Sequence, residues 1–200
     1  MAKLRKMLGD INQPEIVRLM RMIETQSKET LAKWAVDCAE ERYLAIYEEQ
    51  AFGKIYTQDM GDLEKGRYPY YAILEVRDCL IGQKKTAELK AKLAAAAEAA
   101  KEAEGFPAAQ AAARAVATAC AAIRTPTNAL GFVFYGAAAA AYDQAGADQP
   151  QEVYDALATE EFRSLIESLE KVMIPDEKRP AKINWNCQDR KTAAGKEEMK

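Results

Sequence analysis

The sequence contains no histidine. That removes the side chain most used to move protons near neutral pH, and with it Ser-His-Asp and Cys-His catalysis and the usual zinc ligand sets. Cysteine is also scarce: four residues, at 38, 79, 120 and 187, show no CxxC spacing and no clustering. Three of them fall within apolar helical patterns, so they read as reduced core residues of a cytoplasmic protein. The first three are evenly spaced, but Val36-Asp37-Cys38, Arg77-Asp78-Cys79 and Thr118-Ala119-Cys120 are too dissimilar to be copies of a repeat.

Long apolar runs are missing too. The longest uncharged one, Ala129 to Tyr142, has 14 residues, short of the roughly 18 that would read as a membrane span. No excess of positive charge is present: 28 Lys and Arg against 31 Asp and Glu leave a net charge of -3. Nucleic-acid affinity comes mostly from neutralised phosphates, so nucleic acid is not an expected partner. Met1 to Leu8 is basic, but Gly9, Asp10, Asn12, Glu15 and Arg18 follow where a cleavable signal needs apolar residues. Neither export nor a membrane is expected.

What the chain does have is alanine, 39 of 200 residues, in patterns of helical period. Pro14 followed by Ile16, Leu19, Met20 and Ile23 predicts a helix over 14–25. Ser27 caps a second helix whose apolar face, Leu31, Trp34, Ala35, Cys38, Ala39, Tyr43 and Ile46, runs to about Glu49. Residues 50–67 read as a loop, with Gly53, Asp59, Gly61, Asp62 and Gly66 as turn signals. Tyr70, Tyr71, Leu74 and Ile81 mark a third helix that ends by Gly82.

Lys84 to Glu104 predicts a helix with a solvated face, broken by Gly105-Phe106-Pro107. Ala108 to Ile123 predicts a central helix whose small side chains admit close neighbours. Thr125-Pro126 reads as the cap of a new helix that runs to about Ala145. Pro150 to Met173 reads as one broken helix or two short ones, with Thr159 as an internal cap. No stretch alternates at period two, so no strands are expected. The expectation is an all-α, single-domain antiparallel helical bundle or array of about seven to eight helices over residues 1–175. An irregular strap over 176–187, carrying Ile183 and Trp185, and a disordered tail over 188–200 complete it.

Charges on apolar faces are the candidates for chemistry. Arg42 falls near the middle of the second helix's face, Arg77 and Asp78 lie beside the third helix's stripe, and Arg114 is the lone charge between Glu104 and Arg124. Such arginines need acceptors, and Asp37, Glu41, Glu75 and Asp78 are the internal ones expected. Two readings stay open. Asp37, Arg42, Arg77, Asp78 and Arg114 form either a buried ion-pair network that sets helix register or a pocket between helices where an unmatched arginine takes a carboxylate or phosphate, as in an anion-binding protein or a histidine-free enzyme.

Other motifs carry no chemistry. Gly131-Phe-Val-Phe-Tyr-Gly136 has the glycine spacing of a phosphate-binding loop but lacks its Lys-Ser/Thr and lies in an expected helix, where glycines allow close packing. Phe132, Phe134 and Tyr135 belong to the core. Glu40-Glu41 and Glu48-Glu49 read as a solvated face rather than an acid-base pair. No catalytic residue, metal ligand or cofactor is assigned.

Three stretches together resemble a known family: Ile23-Glu-Thr-Gln-Ser-Lys-Glu-Thr-Leu-Ala-Lys-Trp-Ala35, then Ala108-Ala-Gln-Ala-Ala-Ala-Arg-Ala-Val-Ala-Thr-Ala-Cys120, then Thr125-Pro-Thr-Asn-Ala-Leu-Gly131. They are similar to the Imm-five-like immunity proteins of bacterial polymorphic toxin systems, over roughly residues 12–170. Members of that family often carry His in the Ala-rich helices, where this chain has Cys120 and Asn128. The resemblance implies an all-helical, non-catalytic protein that binds and neutralises a cognate toxin. An acidic surface suits a basic partner, since complementary charge speeds encounter. Glu40, Tyr47, Glu48 and Glu49 are the candidate partner surface. A homo-oligomer packed through the Ala-rich helices is the structural alternative.

Overall fold

The computed structural model describes residues 4–52, 54–56 and 60–185. Among them the chain is all-α, with α1 at Pro14–Ile23, α2 at Lys28–Cys38, α3 at Ala45–Ala51, α4 at Met60–Gly66 and α5 at Tyr68–Leu80. A turn of 3-10 helix, Thr86–Leu89, leads into α6 at Lys90–Glu102, followed by α7 at Pro107–Ala121, α8 at Asn128–Ala145 and α9 at Gln151–Val172. A π-helical segment, Ala39–Leu44, joins α2 to α3 without a break. The described residues therefore hold eight helical rods.

α7 is the axis of the bundle. It packs against α8, α6, α5, α3, α2 and the π segment. Six neighbours fit around one helix because, beside Val116 and Cys120, its buried residues are all alanine: Ala108, Ala109, Ala111, Ala112, Ala113, Ala115 and Ala119. Small side chains let each neighbouring backbone come close. Short turns make α6, α7, α8 and α9 antiparallel neighbours in sequence order. The alanines of α7 and Ala137–Ala141 of α8 lie inside the bundle; of the Ala-rich helices, α6 keeps the exposed side on which a second copy could pack.

Local chemistry sets the helix starts. Pro14 and Pro107 occupy first turns, where a missing N–H costs nothing. Ser27 Oγ accepts from Thr30 N at 3.1 Å, the expected cap of α2. Several expectations are corrected. The loop expected over 50–67 contains α4, because Gly66 is a packing glycine and not a turn: a Cβ there would lie 2.7 Å from Phe52 Cε1 and 2.8 Å from Tyr56 Cδ2. α5 buries Pro69, Ala72, Ile73 and Val76, while Leu74 (38 % exposed) and Ile81 (68 %) face outward. The aromatic pair Tyr70-Tyr71 drew the expected stripe to the wrong side.

The helix expected from Lys84 begins as a 3-10 turn at Thr86 and is α-helical from Lys90. α8 does start anew, but at Asn128 rather than after a Thr125 cap, and no side chain caps it. α9 is unbroken. Thr159 bonds back to Asp155 O at 2.8 Å within the helix instead of capping a second one.

Two extended segments lie over the helices. Leu8 is fully buried, its N–H donates to Phe134 O at 3.2 Å, and Tyr142 donates its hydroxyl to Arg5 O at 2.6 Å. At the other end, Ala181 N donates to Gln26 O at 2.7 Å, Trp185 Nε1 donates to Glu24, and Ile183 packs on the core. The tail expected over 188–200 lies outside the described residues, as does Cys187.

Glu177 ties this last segment to α2 by accepting from Ser27 N and, at 2.8 Å, from Thr30 Oγ1. Burial alone would raise its pKa; the hydrogen bonds from Ser27 and Thr30 outweigh it and hold the carboxyl below the usual glutamate value. A depressed folded pKa contributes stability that is present above the unfolded value of about 4.3 and is lost as pH falls through the folded one. Glu177→Ala is expected to cost no more than about 1 kcal/mol. It should raise amide exchange at Ser27 and Ala181, and unchanged exchange at both would refute the anchoring role.

Candidate functional site

The π-helical segment positions the polar residues at the centre of the molecule. One wide turn adds a residue to the helix, so the inward positions become Ala39, Tyr43, Tyr47 and Ala51, all fully buried and four apart. Arg42 is thereby moved from the middle of the apolar face, where a regular helix would put it, to its edge beside α9. There its Nη1 donates to Ser164 Oγ at 2.8 Å and reaches Glu161 Oε1 at 3.3 Å. Tyr43 donates its hydroxyl to the same Glu161 oxygen at 2.6 Å.

Burial sets the character of this cluster. The side chain of Arg42 is 26 % exposed and that of Glu161 14 %. Burial works against the Arg42 charge, but the Glu161 carboxylate outweighs it and holds the guanidinium above its ordinary value. Burial and then the adjacent Glu161 push the Tyr43 phenol well up, so it stays a hydrogen-bond donor. One turn further along α9, Ser168 Oγ accepts from Trp34 Nε1 at 2.9 Å and lies 3.4 Å from Cys38 Sγ. Burial pushes the Cys38 thiol up to about 11 and Cys120 up to about 12, neither a value for a nucleophile.

The other expected residues divide among separate places. Arg77 pairs with Asp37 at 3.0 Å and with Glu40, and Lys33 also reaches Asp37. This joins α2 and the π segment to α5 across a half-exposed seam. Asp78 serves Lys84 at 3.0 Å, together with Glu75 at 2.9 Å, and closes the turn after α5. Arg114 stands apart on α7, its guanidinium 6.0 Å from the Tyr135 ring centroid. Asp37, Arg42, Arg77, Asp78 and Arg114 therefore do not line one pocket. Of the expected acceptors, Asp37 holds Arg77, Glu75 and Asp78 hold a lysine, and Glu41 is exposed.

The expected partner surface is also corrected. Tyr47 is fully buried, because the wide turn places it inward against Tyr56, whose hydroxyl accepts from it at 3.3 Å. Burial pushes the Tyr47 phenol up to about 12. Glu40 is bound to Arg77. Glu41, Ala45 and Glu49 are exposed and Glu48 is half-exposed, so the outward stripe of this helix is Glu41, Ala45, Glu48 and Glu49.

The residues missed from sequence are on α9. Glu161, Ser164 and Ser168 follow at i, i+3 and i+7 along the border of its apolar stripe, a polar row that helical spacing does show. Its partners in α2 and the π segment have no such sign, being more than 110 residues away. Chemically, Arg42 and Tyr43 sharing the Glu161 carboxylate, with Ser164 on Arg42 and, one turn on, Ser168 on Trp34 and Cys38, make two adjoining positioning contacts between α9 and the α2–π rod, with Arg42 Nε left unpaired among the described residues. Among the described residues, no group of Cys, Asp and Glu is placed to hold a metal ion, and no helix is long and apolar enough to cross a membrane.

Comparison with known proteins agrees with the resemblance carried by the Trp34 and Thr125–Gly131 stretches. No curated protein and no solved structure matches the chain. A family model does, over residues 21–168, a span that takes in α2 through most of α9 and every side chain of the network just described. The chain belongs to the Imm-5 like putative immunity protein family.

Proposed function

We propose that this protein binds a toxin of its own cell and neutralises it without catalysis, by covering the toxin's working surface. Family membership is the observation that carries this reading. The arrangement of the polar residues supports it: Arg42 and Tyr43 engage Glu161 and Ser164, and Trp34 engages Ser168, across helices, as in a scaffold that holds a surface in shape. The surface proposed is the acidic stripe Glu41, Ala45, Glu48 and Glu49, which replaces the one expected around Tyr47. Its charge suits a basic partner. Burial raises the Glu48 carboxyl pKa, with Arg67 nearby acting the other way, so this residue gives up its charge at a higher pH than an ordinary glutamate.

The test begins with capture of the tagged full chain from its own cells and identification of its partner. The captured protein is then expressed alone and together with this chain. The expected result is arrested growth in the first case, normal growth in the second and a stoichiometric complex. Glu41→Lys with Glu49→Lys is expected to weaken that complex at least about tenfold and to steepen its loss with salt. A partner whose toxicity this chain leaves untouched would overturn the reading; unchanged affinity of the double variant would move the surface elsewhere.

A further inference from the structure

At the amino end of α7 a half-open cleft of about 360 Å³ is lined by Arg5, Lys6, Glu104, Gln110, Arg114 and Tyr142. Its charge is unbalanced. None of Arg5, Lys6 and Arg114 is in an ion pair among the described residues, and Glu104 is the one carboxylate in the lining. Three cations against one carboxylate leave two positive charges, the charge that a phosphate monoester dianion neutralises.

The cleft is also built to hold still. The backbone here is held by the Arg5 carbonyl, which accepts from Tyr142, and by the fully buried Leu8 two residues beyond Lys6, so the exposed Arg5 and Lys6 side chains start from fixed points at the mouth. On the floor, Arg114 lies against the Tyr135 ring, and its Nε is buried without a hydrogen-bond partner. Arg42 Nε is orphaned in the same way, so what marks this cleft is the charge of Arg114, which lines it with no carboxylate paired to it among the described residues. Pro107 opens α7 at the same place and no side chain caps that helix end, which adds a favourable dipole for an anion.

We infer that this cleft binds a small phosphate-bearing anion, with Arg114 as the central ligand and Arg5 and Lys6 closing over it. The site is independent of the acidic stripe and of toxin binding. It differs from the polar network on α9, where every charge already has an opposite one.

Calorimetric titration of the full chain with inorganic phosphate and with glycerol 3-phosphate, at constant ionic strength and about pH 7.5 where both are mostly dianions, tests it. Saturable binding at one site is expected, with acetate at least about tenfold weaker. Tighter binding of glycerol 3-phosphate identifies an organic monoester as the ligand, and equal binding identifies free phosphate. Arg114→Gln is expected to lower affinity at least about tenfold. Lys6→Gln, at an exposed position that folding does not need, is expected to lower it several-fold. Lys171→Gln, an exposed lysine in the last turn of α9, should change nothing. No saturable binding of either phosphate would overturn the inference. So would equal losses in Lys6→Gln and Lys171→Gln, which would mark a diffuse charge effect.

Discussion

Gly136→Ala is expected to destabilise the protein by about 3 kcal/mol, lowering the melting temperature by roughly 6–12 °C. Two effects compete at this position. Alanine gains up to about 1 kcal/mol over glycine within a helix, and Gly136 lies in the middle of α8. Against this, a Cβ would stand 2.3 Å from Tyr43 Cζ and 2.4 Å from its hydroxyl oxygen. That ring cannot swing away. It is fully buried, tilted against Phe132 with centroids 6.4 Å apart, and tied through its hydroxyl to Glu161. Moving it more than an ångström breaks that bond or pushes α8 off the π segment, so the clash outweighs the propensity gain. Gly131→Ala is the comparison. Its Cβ would meet a Thr118 methyl at 3.1 Å, a contact that small shifts relieve, and stability should stay within about 1 kcal/mol of the parent. Equal melting temperatures for the two variants would mean that Tyr43 is not held as described.

Glu161→Ala is expected to cost about 2–4 kcal/mol, a fall of roughly 4–16 °C. Removal of the carboxylate leaves the buried Tyr43 hydroxyl without an acceptor and Arg42 without its counter-charge, while Arg42 keeps Ser164. The tyrosine contributes most, because Arg42 is partly open to water. Glu161→Gln separates the two effects. Its carbonyl still accepts from Tyr43 but carries no charge, so it should recover at least half of the loss. Chemical denaturation of both variants checks this, with the slope against denaturant unchanged if the native state keeps its compactness. If alanine and glutamine cost the same, the charge pair with Arg42 dominates; if neither costs anything, the network is not a stabilising element.

Helices read directly from this sequence are those whose signals are local. Ser27 three residues before Thr30, Pro14 and Pro107 in first turns, and the alanine run from 108 to 121 act within one or two turns of chain, so α1, α2, α6 and α7 and the all-α class follow from pattern alone. The resemblance at Trp34 and Thr125–Gly131 likewise needs no coordinates, and the family model covers both stretches. Misreadings arose where a residue has two physical uses. Gly66 looks like a turn and is a contact; Tyr70 and Tyr71 look like core, and Ala72, Ile73 and Val76 take that place.

The candidate sites were legible as residues but not as groupings. Arg42, Arg77 and Arg114 stood out because a charge on an apolar face needs an acceptor, yet which acceptor answers depends on which helices meet. Glu161 comes to Arg42 from α9, and Glu40 reaches Arg77 from the same helix face as Asp37 once α5 packs beside it. Arg5 and Lys6 join Arg114 only because Leu8 is buried and bonded to Phe134 of α8. The sequence alone determined the helical class, the absence of histidine chemistry and the family, since composition, capping and periodicity are properties of neighbours along the chain. Helix phase, ion-pair partners and the cationic cleft were decided by tertiary structure, since each is set by contacts between residues far apart along the chain and by space that side-chain packing leaves or fills.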